Sequence, residues 1–313
     1  MDVDLDVVDV DASVESQAVV LDRVCREAGF FRIPLTCVPA EVASEAWESA
    51  EEFFASSAAT KQSVQFPEPG YPYGYSPFRF ETLGASLGRT GEPDLKESFS
   101  VGPDTGGRTV GSDPDEAWVQ SPTLWPDQPP ELRTAWVRYF EELAGVSARL
   151  MAAMAVALEM PIDFFDPLID RPISSMRAIH YPRLSTDPAP GALRAGPHTD
   201  YGTFTILRTD GIPGLEIRGR DGEWLPVASH PDTFIVNLGD SIARWTNDRW
   251  RSTMHRVALT DPEPRQSMAF FHMANWDATI ESLPSCVAPG ENSRYKSVEA
   301  GPWLMKKFQA TVR

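Results

Sequence analysis

The spacing of hydrophobic and polar positions changes near the middle of the chain. Before about residue 170, apolar side chains recur at helical intervals. Ser13 to Gly29 sets Val20, Leu21, Val24 and Ala28 on one face and ends on a glycine, which predicts a helix. Phe30 to Ile33 suits a short strand, and Val38 to Lys61 predicts a second helix through Val42, Ala46, Ala50, Phe53 and Phe54. Pro130 to Met160 carries the clearest stripe, Leu132, Trp136, Phe140, Leu143, Leu150, Met154 and Leu158, and predicts a long helix with one face in a core. Between these, Phe66 to Leu87 is rich in Pro, Gly and aromatics and reads as ordered, irregular structure. Leu95 to Val101 reads as a strand and Gly102 to Asp127 as a polar loop.

After Pro172 the texture becomes β. Short apolar runs fall at Met176–Tyr181, Thr203–Leu207, Leu215–Ile217, Trp224–Val227, Thr233–Leu238, His255–Leu259 and Ser267–Met273, separated by turn sequences such as DGIPG, GRDGE and SHPD. Many short, evenly spaced strands predict a sandwich or a closed jelly-roll sheet. Gly301 to Ala310 predicts a closing helix. The chain thus reads as a single domain over 1–313: a mostly helical region to about 170, a β-rich core from about 171 to 280, and a C-terminal segment from about 281 to 313.

Composition removes several classes of function. The chain has 313 residues, 42% of them hydrophobic, enough for a large buried core. A formal net charge of −17 repels phosphate backbones and anionic bilayers, which weighs against nucleic acid and membrane partners. No run reaches the roughly 18–20 apolar residues that span a bilayer. The acidic start MDVDLDVVDVD has neither the basic region nor the apolar stretch of a secretion signal. Cys25, Cys37 and Cys286 lie far apart with no CxxC spacing, so reduced thiols in a cytoplasmic protein are expected. No obligate protein partner is evident. Abundant Ala, Arg, Asp and Pro with few Lys and Asn point to a GC-rich bacterial source.

Candidate chemistry rests on five histidines, His180, His198, His230, His255 and His272. His198-Thr199-Asp200 sets a His and an Asp two residues apart, so on an extended segment both side chains face one way. His255, opening an alternating segment, can supply a third ligand from another strand. Two His and one carboxylate on one face of an octahedral ion leave three positions open, the facial arrangement of non-haem iron oxygenases. A structural zinc site would be closed by a fourth ligand. Ten residues after His255, Arg265 and Ser267 stand two apart, a guanidinium beside a hydroxyl that suits a carboxylate. His180, His230 and His272 read as structural histidines. Asn237, Gly239, Asp240 and Asn247 read as turn and loop residues.

At this point a family resemblance becomes specific. GFFRI, EEFFASSAATK, RAIHYPRL, AGPHTDYGTFTIL, GLEIRGRDGEWLPV, TFIVNLGDSIARWTND, RSTMHRVAL and RQSMAFF run in order from about residue 5 to 275. Together they resemble the isopenicillin N synthase-like family of 2-oxoglutarate/Fe(II) oxygenases. The resemblance implies a double-stranded β-helix (jelly-roll) core, mainly β with flanking α-helices. It further implies Fe(II) on His198, Asp200 and His255, 2-oxoglutarate held by Arg265, Ser267 and Tyr181, and O₂ as oxidant, with ascorbate helpful in vitro. Ile179 departs from the Asn that many plant-type members carry two residues before that tyrosine, which weakens the case for an extra hydrogen bond near the 2-oxo acid and leaves the triad untouched.

The implied activity is oxidation of a small organic molecule, foremost hydroxylation, with desaturation and cyclisation open to the same chemistry. A bacterial secondary-metabolite intermediate, as in antibiotic biosynthesis, is the expected substrate. Tyr75, Phe78, Phe80, Phe99, Tyr201, Phe204, Phe271 and Met273 are the candidate contacts. Arg79, Arg89 and Lys96 read as solvated surface charge. Three alternatives stay open: an iron oxidase of the same fold that does not consume 2-oxoglutarate, a non-catalytic jelly-roll binding module, and a zinc hydrolase.

Overall fold

Antiparallel pairing organises the molecule. The structure, a computed structural model, describes residues 2–67, 70–83, 93–103, 111–184, 192–260 and 263–311. Its strands are β1 (Phe30–Pro34), β2 (Gly74–Ser76), β3 (Glu97–Val101), β4 (Ser175–Tyr181), β5 (Ala195–His198), β6 (Phe204–Thr209), β7 (Leu215–Arg218), β8 (Trp224–Pro226), β9 (Thr233–Leu238), β10 (His255–Val257), β11 (Arg265–His272), β12 (Thr279–Ile280) and β13 (Val298–Glu299). Its helices are α1 (Val14–Glu27), α2 (Ala40–Ala55), α3 (Ala58–Gln62), α4 (Pro114–Val119), α5 (Leu132–Ala157), α6 (Asp166–Ile169), α7 (Asp240–Trp245) and α8 (Ala300–Thr311). Seven strands pair in the order β1-β9-β6-β11-β4-β3-β2, four in the order β5-β10-β7-β8, and β12 pairs with β13. The two larger sheets are the walls of a jelly roll flanked by helices, the expected fold class. Among the described residues no helix is long and apolar enough to cross a membrane, and Cys25, Cys37 and Cys286 are unpaired.

Alternation along β11 sorts the two sides of the larger sheet. Met268 and Phe270 join the main core, where the Phe270 ring lies 4.9 Å from Phe140 of α5. Arg265, Ser267, Ala269 and Phe271 therefore point the other way, into the lumen. The register carries this parity outward. Tyr181, Ile179 and Arg177 pair with Arg265, Ser267 and Ala269, Thr209 and Thr205 with Ser267 and Phe271, and Asn237 with Thr205. Ser98 and Ser100 pair with Ile179 and Arg177 in turn. One end of the lumen is closed by an apolar plug of Leu5, Phe30, Leu215, Ile217, Val227 and Ile235, contributed by both sheets.

Helices cover the opposite face. α5 spans about 39 Å at 1.5 Å per residue and buries Leu143, Leu150, Met151 and Met154. Each such side chain contributes roughly 1.5–3 kcal/mol relative to exposure. α1 is capped by Ser13, which accepts from Ser16 N, and stops where Gly29 takes φ +67°.

Local chemistry accounts for the departures from expectation. The helix expected over Val38–Lys61 is two helices, because Ser56 turns out of the first in extended geometry and Ser57 caps the second by accepting from Thr60 N. The expected polar loop over Gly102–Asp127 contains α4, started by Asp113 and Pro114. The first 170 residues, read as mostly helical, supply β1, β2 and β3 to the larger sheet.

Three candidate substrate contacts need correction on the same ground. Tyr75, Phe99 and Phe204 lie on the helix-facing side of the sheet, not the lumen side. Phe99 is fully buried, 4.8 Å from the Phe53 ring and 5.5 Å from Trp136. Tyr75 sits 6.0 Å from Phe53, and Phe204 stacks on His272 at 4.8 Å. Their parity matches Met268 and Phe270, so they are core. Phe99→Ala should therefore cost about 3–5 kcal/mol of unfolding free energy in denaturant titration, while the folded variant keeps wild-type affinity for 2-oxoglutarate.

Candidate active site

Cross-strand register brings the two histidines of the HxD…H pattern together. His198 ends β5 and His255 begins β10, and the two are direct antiparallel partners. Directly paired residues place their side chains on one face, and the imidazole centroids are 4.3 Å apart. Asp200 follows β5 and turns its Oδ1 towards both, 3.8 Å from His198 Nε2 and 3.9 Å from His255 Nε2. Two ligands about 2.1 Å from one ion can be at most about 4.2 Å apart, so these atoms can share a metal. Among the described residues this is the one His/Cys/Asp/Glu cluster with ligand atoms close enough, all within 4.8 Å.

Hydrogen bonds outside the triad present the right atoms. His198 Nδ1 donates to Gly196 O at 2.8 Å and His255 Nδ1 to Thr253 O at 3.2 Å, which leaves each Nε2 lone pair free. Asp200 Oδ2 accepts from Thr205 Oγ1 at 2.5 Å and Asn237 Nδ2 at 2.7 Å, which leaves Oδ1 turned towards the two histidines. Asn237, expected in a turn, is thus a strand residue that orients the Asp200 carboxylate. Burial and the neighbouring His255 push the His198 imidazole well below its usual range. Burial opposes ionisation of Asp200, but His255, His198 and its two hydrogen bonds hold it below the usual carboxylate range. A neutral imidazole and an ionised carboxylate are the forms that bind a metal.

The backbone around Asp200 is fixed by α7. Asp240 N donates to Asp200 O at 2.8 Å and Ser241 N to Gly202 O at 3.0 Å. A Cβ at Gly239 would fall 2.2 Å from Gly202 O, so only glycine permits that approach.

Arg265 and Ser267 lie on the lumen face of β11, 3% and 2% exposed. Arg265 Nε and Nη1 are buried without a hydrogen-bond partner, and the nearest carboxylate oxygen, Asp210 Oδ1, is 3.8 Å away. A buried guanidinium with bare N–H groups calls for an anion. Tyr181, the direct partner of Arg265, lies under it with the ring centroid 5.2 Å from Cζ. The donor set therefore fits 2-oxoglutarate: a carboxylate on Arg265 and Ser267 and a chelating end towards the metal.

The remaining candidates divide by position. Phe271 faces the lumen beside Thr205. Tyr201 and Met273 pack with Val119, Leu304 and Met305 in a small cluster between α4 and α8. Phe78 and Phe80 are exposed on the rim, 39% and 56%. Arg89 lies outside the described residues. Lys96, read as solvated charge, is in fact 3% exposed, with Nζ 3.0 Å from Glu81 and 3.7 Å from Asp94. Glu81 also takes a salt bridge from Arg177 at 3.0 Å, and Arg177 Nε donates to Ser100 Oγ at 2.8 Å. His180 pairs with Glu97 at 2.8 Å, and His272, pushed down to about 3 by burial, pairs with Thr203 at 2.6 Å. Both are structural.

A jelly roll with a two-histidine, one-carboxylate site and a carboxylate clamp defines a class of non-haem iron oxygenases. Residues 172–274 match the 2OG-Fe(II) oxygenase superfamily, and residues 3–128 match the non-haem dioxygenase in morphine synthesis N-terminal family. The chain is 32% identical to homoarginine-6-hydroxylase 2-ODD-233 of Oryza sativa over 92% of its own length and 87% of that protein's. It is 31% identical to validamycin A dioxygenase of Streptomyces hygroscopicus, over 93% and 80% respectively. The crystal structure of a full-length Neurospora crassa protein in complex with alpha-KG and thymine superposes with a TM-score of 0.83 at 26% identity, covering 98% of this chain and 97% of that one. The chain belongs to the 2OG-Fe(II) oxygenase superfamily. It is an oxidoreductase that uses Fe(II), 2-oxoglutarate and O₂ on a small molecule.

The ion cluster beside the site makes acid stability testable. Burial opposes ionisation of Glu81, yet Arg177 and Lys96 hold its carboxyl down to about 2, against 4.5 when unperturbed. A depressed folded-state pKa gives stability that is complete above the unfolded value and fades as pH falls towards the folded one. Between about pH 5 and pH 3 the wild type should lose about 2 kcal/mol more unfolding free energy than Glu81→Gln, measured by urea titration at each pH.

Proposed function

We propose that this protein hydroxylates a small, nitrogen-containing molecule, with His198, Asp200 and His255 holding Fe(II) and Arg265, Ser267 and Tyr181 holding 2-oxoglutarate. One observation carries the site assignment: two Nε2 lone pairs and Asp200 Oδ1 converge in the lumen that also receives the bare N–H groups of buried Arg265. With iron, 2-oxoglutarate and O₂ bound, such a site oxidises a substrate C–H bond while 2-oxoglutarate becomes succinate and CO₂. The chain's own work is placement. Gly196 O and Thr253 O fix the two imidazole tautomers. Thr205 and Asn237 keep one carboxylate oxygen of Asp200 turned to the ion. Arg265 anchors the cosubstrate's far carboxylate, and the apolar plug keeps bulk water from the closed end of the lumen.

Two considerations support the substrate class. One relative is named for homoarginine, and the Neurospora crassa structure holds thymine; both molecules carry nitrogen beside an oxygen acceptor. Likeness to validamycin A dioxygenase, with the GC-rich composition, supports tailoring of a bacterial secondary metabolite. The oxidase alternative, in which Arg265 and Ser267 would serve the substrate instead, is disfavoured by the likeness to a relative named as a 2-oxoglutarate-Fe(II) type oxidoreductase and to a structure that holds alpha-KG.

Turnover should release one succinate per substrate oxidised, measured by chromatography of both products; substrate oxidation without succinate would overturn the proposal. His255→Ala and Asp200→Ala should each abolish Fe(II) retention in equilibrium dialysis. Arg265→Leu should raise the half-saturating 2-oxoglutarate concentration at least tenfold, as a charge-assisted hydrogen bond contributes roughly 1.5–3 kcal/mol.

A further inference from the structure

The lumen face of β3 and β4 carries polar groups that neither the metal nor the 2-oxoglutarate clamp uses. Strand alternation points Ser98 and Ser100 inward from β3 and Arg177 from β4, and Lys96, just before β3, has the same parity. Glu81 reaches in from the rim to meet Arg177 and Lys96. Asp94 ties this group to the metal site. Its Oδ1 accepts from Gly196 N at 2.9 Å, two residues before His198, and its Oδ2 from Leu83 N at 3.0 Å, two residues after Glu81.

The internal pairing leaves donors over. Arg177 spends Nε on Ser100 and Nη1 on Glu81, while its Nη2 makes no hydrogen bond among the described residues. Ser98 is 1% exposed, and its hydroxyl is buried without a partner. Native proteins rarely leave a buried hydroxyl like that of Ser98 unpaired, and the Arg177 side chain, 25% exposed, leaves Nη2 open to a ligand. Two free donors beside one carboxylate complement an acceptor oxygen flanked by an N–H. Free amino acids and cyclic amides present that edge.

We infer that Arg177, Ser98 and Glu81 form the polar subsite for the substrate, taking a carbonyl or carboxylate oxygen on the first two and an adjacent N–H on the third. Lys96 is a positioning residue that holds Glu81 through its ion pair. The inference rests on the proposed function and narrows its substrate class. An acceptor edge held at Arg177 lies one rung along the sheet from Phe271, since Arg177 pairs with Ala269.

The test is calorimetric titration of the Fe(II)- and 2-oxoglutarate-loaded protein without oxygen. The probes are free amino acids including homoarginine, the nucleobases including thymine, and cyclohexanol as a molecule of similar size without the edge. At least one amino acid or nucleobase should bind and cyclohexanol should not. Arg177→Met should weaken that binding at least tenfold and Ser98→Ala about threefold, with 2-oxoglutarate affinity unchanged in both. Glu81→Gln should weaken only ligands with an N–H donor. If Arg177→Met does not fold, Arg177→Lys and Ser98→Ala carry the test. Undiminished binding in the variants, binding of cyclohexanol alone, or no binding by any amino acid or nucleobase at millimolar concentration overturns the inference. Failure of 2-oxoglutarate itself to bind would instead overturn the proposed function, and it is read separately in the first titration.

Discussion

Strand β11 sits in the middle of the larger sheet with an antiparallel partner on each side, and its alternation sets the polarity of the whole barrel. Met268 and Phe270 are pinned against the helix layer, so Arg265 and Ser267 have nowhere to point but the lumen. A one-residue slip would bury the guanidinium against α5 and expose the core. That cost fixes the register of β4 and β6, and through them the inward set of β3 and β9. Arg177, Ser98, Thr205 and Asn237 face inward as a consequence.

The smaller sheet contributes little apolar area beyond the plug and instead supplies geometry. Pairing His198 with His255 brings residues 57 positions apart in the chain to one point. The large sheet then reaches across: Thr205 and Asn237 hold the Asp200 carboxylate that the HxD segment delivers. Metal geometry thus depends on both walls. Their separation is set by the apolar plug at one end and by the backbone hydrogen bonds from α7 to residues 200–202 at the other.

Short-range spacing made the proposed metal and cosubstrate residues legible in the sequence, because HxD and RxS each place two side chains on one face of an extended segment whatever the rest of the fold. Period-two runs likewise announced most strands of the barrel. Two things were hidden. Charged residues such as Lys96 resemble solvated surface until a partner like Glu81, fifteen positions away on an irregular segment, is known to neutralise them inside. Parity against the barrel was the other. In ESFSV the serines line the lumen and Phe99 faces the helices, the reverse of the expectation that aromatics mark the pocket. The signal was present, since a polar lumen must show its polar parity inward, but its sense depends on knowing that the lumen is polar. Asn237 was misread for a related reason: an Asn next to Leu-Gly-Asp looks like a turn, whereas the turn begins only at Gly239.

The central claim is that the triad and the Arg265 clamp converge on one metal-bound 2-oxoglutarate. It is tested most directly by adding Fe(II) and then 2-oxoglutarate to the protein without oxygen and recording the visible spectrum. We expect a charge-transfer band that requires both components, saturates at one equivalent of each, and is lost in His255→Ala. Iron that binds stoichiometrically while 2-oxoglutarate produces no band would contradict it.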